Sequence, residues 1–129
     1  MPIEPPPTTW TLARPPDDHP HDVWALGADR EPGTLHAAYR TGLFPMRVEG
    51  DLVWWSPVRR AVIPVAGFVG PRSLRRAARG YEIRVDTAFA EVIRGCADPG
   101  RPHGWIDAGF VDAYSGLREL GWADRKSVV

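Results

Sequence analysis

Apolar residues recur at helical spacing in several parts of this chain, and each stretch is bounded by residues that start or stop a helix. Pro32 suits the first turn of a helix, and Gly42 stops that pattern. Asp86 and Asp107 stand where a carboxylate can cap a helix start, and Gly121 ends the last apolar stripe. The spacing therefore predicts four helices, over residues of about 32–41, 72–79, 86–97 and 107–120.

Shorter apolar runs predict strands between these helices. Residues 51–56 are largely apolar and precede Pro57, and residues 81–85 alternate apolar and charged as a half-buried strand does. Residues 61–65 predict a further short strand, whose proline favours an edge or a bulge. Residues 42–46 are interpreted as an apolar turn.

The first 22 residues differ from the rest of the chain because they hold seven of its 14 prolines. Proline lacks the backbone N–H and fixes φ, so such a stretch forms no hydrogen-bonded ladder. We predict a disordered or loosely draped tail over residues 1–22. Trp10 and Leu12 are the apolar residues that could dock it on the folded part.

Length and composition bound the class of protein. The 129 residues suffice for one ordinary domain or two small units, and the sequence has no apolar run long enough to span a membrane. The N-terminus lacks the basic start and apolar run of a secretory signal. The single cysteine, Cys96, excludes an intramolecular disulfide framework, and its place on an apolar helix face favours a core role over that of a nucleophile. We expect a cytoplasmic protein.

Positive charge is concentrated in one stretch of a chain whose formal net charge is zero. Residues 59–84 hold seven arginines and one acid, a local net charge of seven minus one, or +6. Within the predicted helix, Arg72, Arg76 and Arg79 share one face and Arg75 borders it. This face is either an ordinary solvated surface or a surface that contacts the phosphates of structured RNA.

The six tryptophans supply the other candidate binding groups. Adjacent strand positions place Trp54 and Trp55 on opposite faces, and most of the six are expected to pack in the core. Trp105 is the best candidate for lining an apolar pocket or stacking an adenine, because it follows a loop rich in Gly and Pro and precedes a helix. The sequence has no Gly-rich phosphate loop, no paired cysteines for zinc and no nucleophile elbow. The residues alone therefore indicate an RNA-binding globular fragment and no particular reaction.

Motifs in a constant order over residues 24–123 give the chain a family resemblance. The most specific are Ala37-Ala38-Tyr39-Arg40-Thr41-Gly42-Leu43-Phe44-Pro45 and Trp54-Trp55-Ser56-Pro57. Arg72-Ser73-Leu74-Arg75-Arg76, Val85-Asp86-Thr87-Ala88-Phe89, Gly104-Trp105-Ile106 and Leu117-Arg118-Glu119-Leu120-Gly121-Trp122-Ala123 follow. In this pattern the chain resembles the leucyl/phenylalanyl-tRNA–protein transferase family.

The resemblance implies an activity and its partners. Enzymes of this family move leucine, phenylalanine or sometimes methionine from aminoacyl-tRNA to the α-amine of proteins that begin with Arg or Lys, which are then degraded. They need no metal or coenzyme, because the tRNA ester is already activated. The resemblance implies no membrane partner, and we expect a monomer.

The resemblance also implies an α+β fold. A small N-terminal α+β domain would cover residues 23–58, and residues 59–123 would form the incomplete start of an acetyltransferase-like (GNAT) α/β domain. In the family the chain continues past Ala123 with His-Ser-Val-Glu and a long further segment that supplies the groups assisting amine attack. No catalytic residue is therefore expected in this chain.

Carried over residue by residue, the family pattern assigns the candidate site. Arg72, Arg75, Arg76 and Arg79 match the tRNA-binding patch. Trp105 matches a tryptophan of the aminoacyl-adenosine pocket. Met46 stands where the family often has a second tryptophan, so an apolar contact remains while a stacking surface is lost. The pattern implies no metal ligand.

The last six residues, 124–129, depart from the family pattern. Their sequence can be encoded by a string that resembles a common sequencing adapter, so we expect this hexapeptide to be non-native and the native protein to be longer. Such a chain should expose an open sheet edge and apolar helix faces.

Two other functions fit parts of the sequence. A non-enzymatic RNA-binding module would bind tRNA in a salt-sensitive way and catalyse nothing. A GNAT acyltransferase that uses acyl-coenzyme A would need a pyrophosphate-binding loop, and these residues contain none.

Overall fold

The computed structural model describes residues 1–123 and the backbone of residues 126–128. The other residues of the hexapeptide predicted to be non-native lie outside the described part. The elements in chain order are β1 (Val23–Leu26), α1 (Pro32–Arg40), β2 (Phe44–Val48), β3 (Asp51–Trp55), a 3₁₀ turn (Val65–Gly67), α2 (Arg72–Ala78), β4 (Ile83–Val85), α3 (Phe89–Cys96), α4 (Ala108–Glu119) and β5 (Lys126–Val128). This mixture of helices and antiparallel strands confirms the α+β class.

A three-stranded antiparallel sheet in the order β1-β3-β2 supports the N-terminal part of the molecule. Strands β2 and β3 form a hairpin in which Val48 pairs with Asp51. The two residues between them, Glu49 and Gly50, have φ values of 52° and 96°, as a tight hairpin turn requires. Trp54 of β3 is fully buried, and its Nε1 donates a hydrogen bond to the Gly27 carbonyl at 2.8 Å.

The main core joins this sheet to helices that lie far apart in sequence. Leu35 and Ala38 of α1 pack with Leu43, Trp54 and Leu117, and Leu117 belongs to α4. The α1–α4 contact is also polar, because the hydroxyl groups of Tyr39 and Tyr114 are hydrogen-bonded at 2.5 Å. The N-terminal sheet and helix therefore share their core with a helix from the second part of the chain.

Residues 1–22 form no helix or strand and follow the surface of the folded part. The Ile3 amide donates to the Leu120 carbonyl, and the Trp122 indole donates to the Ile3 carbonyl. Further along, Trp10 Nε1 donates to Asp29, and Leu12 packs against the core. The position of this N-terminal segment matches a draped tail, and its predicted disorder stays a prediction.

One turn prediction and two strand predictions need correction. Residues 42–46 are not a turn throughout, because Phe44–Val48 is a strand. Pro45 is tolerated in this strand because β2 lies at the edge of the sheet. Residues 61–65 form no strand: Pro64 instead precedes the 3₁₀ turn, and these exposed residues have no ladder partner in the described part. β4 is shorter than predicted and exposed along its length rather than half-buried.

The helix predictions are confirmed for α1, α2 and α4, whereas the start of α3 was predicted wrongly. Asp86 does not cap a helix, because its φ of 57° lies in the left-handed region and its carboxylate pairs with Arg118 at 3.0 Å. α3 begins at Phe89, with Ala88 in the capping position. Its predicted apolar face is real, since Phe89 and Ile93 are buried.

A long exposed stretch lies between the sheet and α3. Residues 58–87 include no buried position, and many of the large exposed apolar side chains belong to them, with Val62 78% and Val65 90% exposed. In the described part of the chain, no helix is long and apolar enough to cross a bilayer.

We predict that Gly33→Ala releases the N-terminal segment from the folded part. A Cβ at Gly33, in the first turn of α1, would collide with the Pro6 carbonyl, and backbone cannot move aside as a flexible side chain does. Alanine itself favours the helix by up to about 1 kcal/mol, so α1 should persist. Amide exchange of Ile3, measured by NMR, should accelerate by at least about tenfold if docking weakens by about 1.4 kcal/mol.

The matched control is Gly95→Ala, also at a helical glycine, where a Cβ would meet no atom within 4 Å. This control should leave Ile3 exchange unchanged. Unchanged Ile3 exchange in Gly33→Ala would show that the segment is not held against α1 as described.

Candidate nucleic-acid interface

The predicted basic helix is present as α2, and it is exposed over its whole length. Arg72, Arg75 and Arg76 lie within it, and Arg79 is its C-terminal capping residue. Pro71 precedes the helix in an extended conformation and offers no side-chain acceptor for the first amides. Helix α2 buries no residue, so its surface is available for binding along all four arginines.

The arginines of α2 differ from most others in how they are neutralised. Six arginines elsewhere pair with acids, as Arg40 does with Glu4 and Arg84 with Glu82. In the described part of the chain, four others do not: Arg59, Arg60, Arg94 and Arg101. Within residues 1–123, none of the four arginines on or beside α2 is paired with a carboxylate. Unpaired guanidinium groups on one face repel one another weakly and attract a polyanion, whose phosphates they match in geometry.

Trp105 lies at the other candidate position, just before α4. Its ring packs edge-on against Phe110, with 5.3 Å between the ring centroids. Phe110 is fully buried, whereas Trp105 is only half-buried. The tryptophan therefore has one edge fixed by the core and keeps part of its surface accessible, as a ring that stacks on a ligand needs.

Asp107 fixes the start of α4, as the sequence predicted. Its Oδ1 accepts the Phe110 amide at 2.9 Å and the Arg30 guanidinium at 2.8 Å, while Oδ2 accepts Arg47 Nε at 3.1 Å. Burial alone would raise the pKa of Asp107. The Phe110 amide and the charges of Arg30 and Arg47 outweigh that effect, so the pKa lies below its usual value.

Met46 lies on strand β2 and is half-buried. It pairs across the hairpin with Val53, and the next residue on its strand is Arg47. The Arg47–Asp107 ion pair thus connects the strand that carries Met46 with the segment that carries Trp105. The arginines of α2 form a separate, solvent-facing group.

No pattern in the sequence indicated Arg30 or Arg47 as site residues, and Phe110 was indicated only as part of the apolar stripe of the last helix. Arg30 and Asp107 are 77 positions apart, and no local spacing links such residues. Asp107 was found only as a helix cap, because capping is a local signal whereas its ion pairs are not. The arrangement as a whole offers positive charge and partly exposed aromatic surface, which are the groups that bind a nucleic-acid backbone and stack on a base.

Comparison with known proteins decides the family. The family model described as "Leucyl/phenylalanyl-tRNA protein transferase" matches residues 62–128, and the model of that family's N-terminal domain matches residues 29–58. The chain belongs to the leucyl/phenylalanyl-tRNA–protein transferase family. Both α2 and Trp105 lie within the first of these matches.

Individual relatives agree with this assignment. A leucyl/phenylalanyl-tRNA–protein transferase of Aromatoleum aromaticum is 44% identical over 111 residues, which cover 82% of this chain and 47% of the relative. A transferase of the same name from Syntrophotalea carbinolica is 40% identical, covering 87% of this chain and 52% of the relative. The chain therefore spans about half the length of these transferases.

Proposed function

We propose that this chain is the N-terminal part of an aminoacyl-tRNA–protein transferase. The complete enzyme would move leucine, phenylalanine or methionine from aminoacyl-tRNA to the N-terminal Arg or Lys of acceptor proteins, and so mark them for degradation. The observation that carries the proposal is the family match, which includes the unpaired arginines of α2. The protein would act in the cytoplasm as a monomer.

The proposed reaction needs positioning more than activation. The α-amine of the acceptor attacks the carbonyl carbon of the aminoacyl ester, the new amide bond forms, and the ester C–O bond breaks. The ribose hydroxyl leaves with a proton, and the amine loses one. Since the ester is already activated, no metal or coenzyme takes part, and binding both substrates in line supplies much of the rate.

This chain would supply the tRNA-binding part of that machinery. Arg72, Arg75 and Arg76, with Arg79 at the helix end, would contact backbone phosphates and read no base. Trp105 would stack on the aminoacyl-adenosine end, and Met46 would add an apolar contact from β2. Residues 59–123 would begin a GNAT-like domain that a longer chain completes, and the catalytic groups would lie in that continuation.

One prediction of the proposed function concerns tRNA binding. Replacing Arg72, Arg75 and Arg76 together with glutamine should weaken binding of Phe-tRNA at low salt. Each lost phosphate contact reduces the slope of log K against log salt by about 0.7–0.9, so the slope should fall by roughly two to three. Fluorescence anisotropy of labelled tRNA over a salt series measures both quantities.

A charge-matched control separates local contact from net charge. Arg14, Arg40 and Arg94 are exposed and lie outside α2. Their replacement with glutamine removes the same three charges and should leave the salt slope unchanged. Equal losses in the two triple variants would contradict a specific role for α2.

We also predict that the 129-residue chain alone has no transferase activity, because the proposed catalytic groups belong to the part of the family pattern that follows residue 123. The assay follows labelled phenylalanine from Phe-tRNA into a protein with an N-terminal Arg. The full-length Aromatoleum aromaticum relative serves as the positive control. Turnover by this chain that is above background and disappears in Trp105→Ala would contradict the prediction.

Binding of tRNA by a complete chain that never transfers phenylalanine would favour the non-enzymatic RNA-binding function.

A further inference from the structure

The carboxylate of Asp107 uses both of its oxygens, and its partners come from three segments of the chain. Oδ1 is shared by the first turn of α4, through the Phe110 amide, and by Arg30, which lies between β1 and α1. Oδ2 accepts from Arg47 on β2. A helix cap requires only the hydrogen bond from the Phe110 amide. The ion pairs with Arg30 and Arg47 additionally connect two other segments of the chain to the start of α4.

Arg30 is held tightly against the start of α4. Its guanidinium carbon lies 5.0 Å from the centroid of the Phe110 ring, over the ring face. A Cβ at Gly109 would collide with the same guanidinium group, so the absence of a side chain there makes room for Arg30. Phe110 in turn packs edge-on against Trp105. Arg30, Phe110 and Trp105 thus form a continuous line of contact.

Arg47 provides the second connection. It follows Met46 directly on β2, and Asp107 follows Trp105 by two residues. The 3.1 Å ion pair between Arg47 and Asp107 therefore fixes the distance between two chain segments that are distant in sequence. These segments carry the two side chains to which the proposed function gives the aminoacyl-adenosine contact.

We propose that Arg30, Arg47 and Asp107 are positioning residues that hold Trp105 in place against β2 and α4 for binding of the aminoacyl-adenosine end of the tRNA. This inference rests on the proposed function for the role of Trp105, and on the structure alone for the contacts. Arg30 orients Trp105 through Phe110, and Arg47 joins β2 to the segment before α4. None of the three needs to touch the ligand.

Two variants break the network without removing the helix cap or the arginines. Asp107→Asn keeps an amide oxygen that caps α4 but loses the charge that holds Arg30 and Arg47. Gly109→Ala keeps every charge and displaces the Arg30 guanidinium from its place against α4. The matched control is Arg84→Gln, which breaks the exposed ion pair with Glu82, away from α4.

Fluorine NMR of the full chain labelled with 5-fluorotryptophan reports the position of Trp105 directly. The chain has six tryptophans, and the resonance that disappears in Trp105→Phe identifies the one of interest. We expect Asp107→Asn and Gly109→Ala each to shift the Trp105 resonance and to leave that of the core residue Trp54 in place. Arg84→Gln should shift neither. An unmoved Trp105 resonance in both network variants would overturn the proposal.

A binding measurement tests the link to function. The probe is phenylalanyl-adenosine with an amide in place of the ester, titrated by NMR into each variant. Trp105→Ala should weaken binding of the probe because the stacking ring is lost. Asp107→Asn should weaken it roughly tenfold, because a misplaced ring stacks less well. Weakened binding in Trp105→Ala together with unchanged binding in Asp107→Asn would overturn the positioning role. Unchanged binding in Trp105→Ala would instead refute the proposed function of Trp105, while the fluorine shifts would still decide whether the network positions it.

Discussion

The ion pairs and hydrogen bonds of Asp107 join β2 and the segment before α1 to the start of α4. They fix where α4 begins, and α4 then carries Leu117 into the core beside Leu35 and Trp54. The N-terminal sheet and α1 are thus completed by a helix more than fifty residues downstream in the sequence. Residues 59–87 include no buried position, and α4 then packs in the same core as α1. The expected domain division near residue 58 stays a prediction.

The two groups of residues that are proposed to bind tRNA lie in parts of the chain that differ in burial. Trp54 and Phe110 are fully buried, whereas α2 and β4 bury no side chain at all. Elements with few buried contacts have low local stability and adapt easily to a partner. The unpaired arginines stand on such an element, while Trp105 stands at the edge of the rigid core. In the proposed function, the electrostatic contact with a long polyanion and the stacking at its end would therefore come from different parts of one chain.

Local signals in the sequence predicted local structure well. Pro32 and Gly42 bounded α1, the apolar spacing found α3, and the Asp107 cap found α4, because each depends on residues within one turn. Predictions failed where a distant partner decides the result. Phe44–Val48 is a strand because β3 lies beside it. Residues 61–65 form none, and no strand of the described residues pairs with them. The basic helix was visible as a charge pattern, whereas Arg30 and Arg47 could be recognised only from the folded chain.

Hydrogen–deuterium exchange of the chain with and without Phe-tRNA reports on every segment at once and so locates the surface that binds tRNA. We expect slower exchange over residues 72–80 and 101–107 when tRNA is present, and no change in the segment that precedes β1, in β1 or in β3. Protection confined to the N-terminal segment, or no protection in either predicted region at a saturating concentration of tRNA, would contradict this expectation.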